Sequence, residues 1–321
     1  MLATLSVPAK VLLLTGAEAG PLAVRLGIVP AIDDDRLIAE AVRAAEFSDV
    51  AVVVVGSAAM TESEGFDRAT LALPGRQDEL VRAVAAVCPR TVVVVNSGMP
   101  MLLPWAADVA AIIQAWLPGQ VMGEALADVL LGAAEPGGRL PVTLPAAESD
   151  CPVLRAMPVD GVLRYNEGLL IGYRGYDRQG VTPQFAFGHG LGYTTWAYES
   201  LRVSAGDHGP GGDPELTVMV RNTGSRPGKE IVQAYLAAPQ GDDARPLRVL
   251  AAFAAVTVEP GEAAEVTLRV PGRAFTRYDE DTGTWVPVPG QFTVHVGRSS
   301  RDLRLTLPGP PAEPSGAQAS R

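Results

Sequence analysis

Asp49-Val50-Ala51-Val52-Val53-Val54-Val55-Gly56, leading into the polar run Thr61-Glu62-Ser63-Glu64-Gly65-Phe66-Asp67-Arg68, decides the fold of this chain. The near-continuous apolar run from Asp49 to Val55 is the mark of a parallel strand covered on both faces. Beyond the polar run come Leu73-Pro74-Gly75 and a helical pattern from Arg76 to Val87. A buried strand, a charged loop and then a helix is how open α/β sheets present reactive groups beyond the carboxyl ends of their strands. The loop carries two glutamates two residues apart, with Gly65 free to bend the chain beside them. An acidic loop alone is ordinarily solvated surface, so its surroundings decide what it does.

On the N-terminal side, Asp33-Asp34-Asp35 places acids where they suit a helix dipole. Leu37, Ile38, Ala41, Val42 and Ala45 then recur at helical spacing. Two apolar stretches in residues 1–30, Val11–Leu14 and Leu22–Val29, read as short strands with no partners nearby. On the C-terminal side the unit repeats. A strand Thr91–Val95 gives way to Asn96-Ser97-Gly98, a helical turn Trp105–Asp108, a strand Ala110–Ala115 and a helix Gly119–Leu131 that Gly132 can end. Pro136-Gly137-Gly138 then turns the chain into Arg139–Leu144. Residues 31–150 are therefore expected to form an α/β sandwich, a mostly parallel sheet covered by helices.

Regular patterning stops there. Residues 151–195, with Tyr173, Tyr176, Phe185, Phe187 and Tyr193 among glycines, are too apolar for a disordered linker and are expected to pack as a connector across both domains. Over 196–308 short strands recur at about ten-residue intervals (Leu216–Val220, Glu230–Leu236, Ala252–Val258, Ala264–Val270, Gln291–Val296), punctuated by Pro260-Gly261 and Pro289-Gly290. That is an all-β sandwich of immunoglobulin or fibronectin III size. Residues 309–321 are Pro- and Ser-rich and are expected to be disordered.

The 321 residues are enough for two domains, and 47% hydrophobic with 19% charged residues is a globular balance. A net charge of −10 without a basic stripe excludes nucleic acid as a partner. No apolar run approaches the length of a membrane span, and the start lacks the pattern of a signal peptide, so the chain as given reads as cytoplasmic. Cys88 and Cys151 read as idle thiols. The scattered His189, His208 and His295 offer no ligand spacing, so no metal or cofactor is expected. Neither GxGxxG nor GxxxxGK follows a strand, which removes a nucleotide-binding sheet.

The run Glu62-Ser63-Glu64-Gly65-Phe66-Asp67-Arg68, with Leu73-Pro74-Gly75-Arg76-Gln77 and Leu80-Val81, resembles the catalytic-loop signature of glycoside hydrolase family 3, which comprises β-glucosidases, β-xylosidases and their relatives. Further matches follow in order: Ser97-Gly98-Met99-Pro100 with Trp105, Gln114 to Gln120, Gly123 to Asp128, and Pro136 to Pro141 with Thr143 and Pro145. Tyr165-Asn166-Glu167-Gly168, Gly172-Tyr173-Arg174 and Phe187-Gly188-His189-Gly190-Leu191 continue the series, although Gly192 and Trp196 stand where the family has Ser and Phe. Asn222-Thr223-Gly224, Arg245-Pro246-Leu247, Pro260-Gly261 and Gly297-Arg298-Ser299-Ser300 are similar to the family's fibronectin type III-like domain.

The resemblance implies retaining hydrolysis by two carboxyl groups, with the nucleophilic Asp on an N-terminal (β/α)8 barrel and the acid/base Glu on a loop of the following α/β domain. By the motif that Glu is Glu64, with Glu62 as the alternative within the loop. Asp67 and Arg68 are expected to fix the loop by local hydrogen bonds and an ion pair, with substrate contact as the alternative. Trp105 and the tyrosines are assigned to packing, and His189 to the connector's turn. No barrel and no nucleophile context precede the first matched helix, so the resemblance implies a barrel half supplied in cis or in trans and an inactive chain on its own. Residues 1–30 then read as lead-in strands or the remnant of an inserted β domain. The expected ligand is a β-glucoside or oligosaccharide. A surface meant to face a barrel should also expose apolar area and drive self-association. A non-catalytic carbohydrate-binding or scaffold protein of the same family is the competing reading. The intact Glu62-Ser63-Glu64-Gly65 favours the enzyme.

Overall fold

A computed structural model describes residues 9–14, 25–30, 33–58, 61–154, 157–204, 212–239 and 245–312. They fall into two compact units, each described by itself. The first comprises Met1–Gly56, Leu73–Asn96 and Trp105–Gln114; the second comprises Ser57–Ala72, Ser97–Pro104 and Ala115–Arg321.

In the first unit, β1 (Ala9–Leu14) and β2 (Arg25–Pro30) pair antiparallel from Ala9↔Pro30 to Leu14↔Arg25. The two strands expected to lack partners are thus each other's partner. Helix α1 (Asp34–Glu46) starts where the aspartates place it, with the Asp33 carboxylate accepting from Arg36 N at 3.1 Å. Strands β3 (Ala51–Gly56), β4 (Thr91–Asn96) and β5 (Ala111–Gln114) form a parallel sheet in that order. Helix α2 (Gln77–Val87) supplies the crossover between β3 and β4 and buries Val81, Val84 and Ala85.

One expectation fails here. The strand at Asp49–Val55 is not covered on both faces: Val53 and Val55 are buried, whereas Val52 and Val54 are 47% and 55% exposed. An apolar run shows that a strand has no polar face, but the elements packed around it decide how many faces are covered. β3 is also an edge strand of a three-stranded sheet.

The end of β3 is fixed by the first residue of α2. The Gln77 amide accepts from Gly56 N at 2.7 Å and donates to Gly56 O at 2.9 Å, which satisfies both backbone groups of the last ladder residue. A Cβ on Gly56 would lie 1.9 Å from Asn96 O across the ladder. Gly56→Ala is therefore expected to destabilise by about 1–3 kcal/mol. A denaturation midpoint equal to that of the parent would contradict this packing.

In the second unit, α3 (Met122–Leu131) ends at Gly132, whose φ of 75° is the left-handed cap expected there. The segment from Arg139 to Leu144 forms no strand of its own; Leu144 makes a single bridge with Phe185. The connector, expected without regular elements, contains α4 (Tyr173–Gln179), framed by Gly172 and by Gly180 at φ 67°. It also carries a tight turn, in which Asp160 and Gly161 have φ of 51° and 74° between the bridged Val159 and Val162.

The sandwich places β10 (Ala263–Arg269), β7 (Glu215–Asn222) and β6 (Trp196–Val203) in one antiparallel sheet. The other holds β14 (Leu303–Ala312), β13 (Gly290–Gly297), β8 (Gly228–Ala237) and β9 (Val249–Val258). A side hairpin pairs β11 (Thr276–Asp279) with β12 (Thr284–Pro287). Alternation along β7 buries Leu216, Val218 and Val220 against Val232, Val266 and Val294 of the other strands. The tail expected to be disordered from residue 309 is paired up to Ala312, opposite Gly290; residues 313–321 lie outside the described residues.

Two buried ionic groups bond the segment at Arg139 and the connector, respectively, to the sandwich. Glu230 on β8, fully buried, takes Arg139 Nη2 at 3.2 Å and Arg298 Nε at 3.1 Å. Asp177 on α4, with a side chain 1% exposed, takes Arg248 Nε at 3.0 Å and Arg301 Nε at 2.9 Å. Tyr173 stacks on Phe187 at 4.6 Å, and its hydroxyl accepts from Leu250 N at 2.8 Å. Asn222 explains the Asn-Thr-Gly turn: its buried amide donates to Val258 O and Arg226 O and accepts from Gly224 N.

His189 sits in the connector's turn as expected, its N–H on Ala186 O and its carbonyl accepting from Leu140 N. Burial, reinforced by the Arg139 and Arg298 charges, holds its pKa below the ordinary imidazole value. A folded pKa below the unfolded one means that the unfolded state binds a proton first as pH falls. The stability that His189 confers is then complete above pH about 6.5 and is lost on acidification toward the lower folded value. Part of the fall in melting temperature between pH 7 and 5 is expected to disappear in His189→Gln. An identical fall in both proteins would contradict this.

Candidate active site

Three loops of the second unit, which follow β3, β4 and β5 in the chain, converge on the sequence motif. Ser63 and Phe66 form an isolated antiparallel bridge, and Gly65 N donates to Ser63 Oγ at 3.2 Å, so Glu64 and Gly65 occupy the tip of a tight turn. The two glutamates meet opposite fates there. Glu62 is half-buried; its Oε2 accepts from Ser57 Oγ and, at 3.1 Å, from the backbone N–H of Gly98 in the loop after β4. A Cβ on Gly98 would come within 2.9 Å of both Glu62 Oε1 and Leu117 Cδ1, so glycine is needed for that approach. Leu117 follows Trp116, whose φ of 59° is rare for a bulky residue.

Glu64 is exposed and makes no hydrogen bond or ion pair among the described residues. It can therefore turn its carboxyl to a ligand, whereas Glu62 already spends one oxygen tying two loops together. Nothing in the spacing distinguishes the two. The difference arises from the Gly98 amide, 36 residues further on.

Arg68 does brace the loop, its Nη2 reaching Ala72 O at 3.4 Å and Met101 Sδ at 3.0 Å. The expected Asp67–Arg68 ion pair is not formed. Asp67 is exposed and without a partner among the described residues, because the Arg68 guanidinium is drawn inward toward Met101. Trp105 is fully buried in the first unit, its indole N–H on Asp78 Oδ1 at 2.7 Å, as a packing residue would be. Tyr173 and Tyr176 are likewise buried, but Tyr165 is 71% exposed and so is not core.

The far end of the loop holds an anchor that sequence reasoning missed. Glu148 Oε1 accepts from Thr70 Oγ1 and, at 2.6 Å, from Leu71 N. Cys88 and Cys151 are free thiols. Among the described residues no group of His, Cys, Asp and Glu could hold a metal, and no helix is long and apolar enough to cross a membrane.

The family model described as the glycosyl hydrolase family 3 C-terminal domain matches residues 9–193, more than half of the chain. The chain belongs to glycosyl hydrolase family 3. A fibronectin type III-like domain model matches residues 230–300. Among family 3 proteins, thermostable β-glucosidase B of Acetivibrio thermocellus is 42% identical over 273 residues, covering 85% of this chain and 36% of that protein. A β-glucosidase of Rhizobium radiobacter is 38% identical, covering 89% and 35%. In structure the chain is similar to a β-glucosidase of Kluyveromyces marxianus, at TM-score 0.84 and 36% identity, covering 91% of this chain and 35% of that one. It is also similar to DesR, a β-glucosidase of Streptomyces venezuelae solved with D-glucose, at TM-score 0.82 and 38% identity, covering 89% and 37%. This chain thus spans little more than a third of these family 3 relatives. Its fold, an α/β domain with a parallel sheet and then a fibronectin-like β-sandwich, is theirs in that portion.

Proposed function

We propose that this chain supplies Glu64 as the general acid/base of a retaining β-glucosidase whose nucleophilic carboxylate lies on a (β/α)8 barrel, present in cis or in trans. The observation that carries the reading is the contrast within the loop: Glu62 is bound to Gly98 N and Ser57, while Glu64 stands unengaged at the tip of the turn. Two carboxyls about 5 Å apart give retention. The barrel carboxylate attacks the anomeric carbon as Glu64 protonates the departing glycosidic oxygen. Glu64, now a carboxylate, then takes a proton from the water that opens the glycosyl-enzyme. A glutamate on a turn tip has the reach to serve the oxygen in one step and the water in the next. The ligand is a β-glucoside or a β-linked oligosaccharide, in line with the relatives' names. Arg68 acts as support for the loop, through Ala72 O and Met101.

A barrel would also cover apolar side chains that this chain leaves open. Val159 is 70% exposed, and Val162, Tyr165, Leu169 and Ile171 of the same connector are exposed too. No nucleic acid takes part, given the net charge of −10.

The test is hydrolysis of an aryl β-glucoside by the chain with and without a family 3 barrel, alongside sedimentation of each. Turnover is expected only with the barrel, and self-association only without it. Turnover by the chain alone would show that a second carboxylate serves as nucleophile within these residues and would overturn the division of labour.

A further inference from the structure

We infer that Glu148 is a positioning residue for the acid/base loop, an inference that rests on the assignment of Glu64. Glu148 lies 77 residues beyond the loop, in a short 3-10 turn at Glu148–Asp150. That turn does not need the Glu148 side chain. It is closed by Asp150 Oδ2 accepting from Ala147 N at 3.0 Å, with the backbone bonds Asp150 N to Ala147 O and Cys151 N to Glu148 O. The Glu148 carboxylate points instead to the loop, where Oε1 accepts from Leu71 N at 2.6 Å and from Thr70 Oγ1.

The bond is fastened, at Leu71, to a ring around Glu64 that two other bonds close. Leu71 O accepts from Leu102 N at 2.9 Å in the segment after β4, and Gly98 in that same segment donates to Glu62. The loop is therefore held by one carboxylate on each side of its turn, Glu62 before it and Glu148 after it. Arg68, between the turn and Thr70, adds its bond to Met101 of the same segment. Charge-assisted bonds to backbone N–H groups are the stronger kind. A turn tip pinned on both sides keeps its carboxyl in register with a substrate, and misplacement by about 1 Å can cost a hundredfold in rate. Glu148 touches no reacting atom. It acts only through the path of residues 62–71.

The test compares Glu148→Ala and Glu148→Gln in the chain assembled with a family 3 barrel, on two β-glucosides. One has a poor alkyl leaving group, whose departure needs the acid; the other has a dinitrophenyl leaving group, whose departure does not. For Glu148→Ala, glycosylation of the enzyme is expected to slow at least tenfold more on the alkyl substrate than on the activated one. Glu148→Gln, which keeps an oxygen acceptor for Leu71 N and Thr70 Oγ1, is expected to restore most of the loss. A merely structural role would lower both substrates alike. Hydrogen exchange on the chain without a barrel gives a second readout. Exchange over residues 66–73 should accelerate in Glu148→Ala, recover in Glu148→Gln and stay unchanged in the sandwich strands. Equal losses on both substrates, or unchanged exchange over 66–73, would overturn the inference. If Glu64→Ala itself showed no leaving-group dependence, the assignment of Glu64 would fail first, and this inference with it.

Discussion

Glu230→Ala is expected to destabilise the second unit by about 3–5 kcal/mol, the usual result of removing one partner from a buried ionic group. Glu230 is fully buried and accepts from two guanidiniums, Arg139 Nη2 and Arg298 Nε, which are themselves 8% and 13% exposed. Alanine would leave two cations away from water with nothing to neutralise them. It would also free the segment at Arg139, which the arginine fastens to β8. For a unit of this size the melting midpoint should fall by about 10 °C. The contrasting control is the exposed pair Arg202–Glu265 in the same sandwich, with side chains 66% and 52% exposed. Glu265→Ala there should change the midpoint little, because solvent already screens such pairs. Equal effects of the two substitutions, followed by calorimetry, would show that burial does not govern these bonds.

Glu64→Ala, in the chain assembled with its barrel, is expected to lower kcat/KM on an alkyl β-glucoside by about 10²–10⁴-fold, the range that general acid catalysis supplies. On a dinitrophenyl β-glucoside the first step should be nearly unimpaired, since that leaving group needs no proton. The second step remains slow without a base, so glycosyl-enzyme should accumulate and appear as a burst. Glu62→Ala is expected to behave differently. It removes the tie to Gly98 N and Ser57, so it should loosen the loop and raise hydrogen exchange there, whereas Glu64→Ala should leave exchange unchanged. A burst and a leaving-group dependence found with Glu62→Ala and absent from Glu64→Ala would reverse the assignment.

How much of this was legible depended on whether the signal was local. The helix at Asp34–Glu46 begins at its aspartates and α3 ends at its glycine, because caps are written within a few residues. Strand β7 was visible because its alternation matches a one-sided burial. The cover over β3 was not, since four valines in a row read the same whether one face or two are packed. Helix α4 was hidden among glycines and tyrosines, although Gly172 and Gly180 mark its ends. The last strand runs through Pro308, Pro310 and Pro311, which normally argue against a ladder. An edge position, with only β13 beside it, tolerates them. At the site, the motif supplied the loop and pointed to Glu64 with Glu62 as the alternative, but not that Glu62 is engaged while Glu64 is free. That difference rests on an amide donor 36 residues away, and the second anchor, Glu148, on a contact across 77. Contacts of that range leave no mark in spacing or periodicity.

The most direct measurement is the product that Glu64→Ala forms, with its barrel, from dinitrophenyl β-glucoside in the presence of azide. Azide attacks the glycosyl-enzyme without help from a base, so it should restore turnover and yield β-glucosyl azide, the product of two inversions. An α-glucosyl azide would make Glu64 the nucleophile. Full turnover by the variant without azide would remove Glu64 from the chemistry altogether.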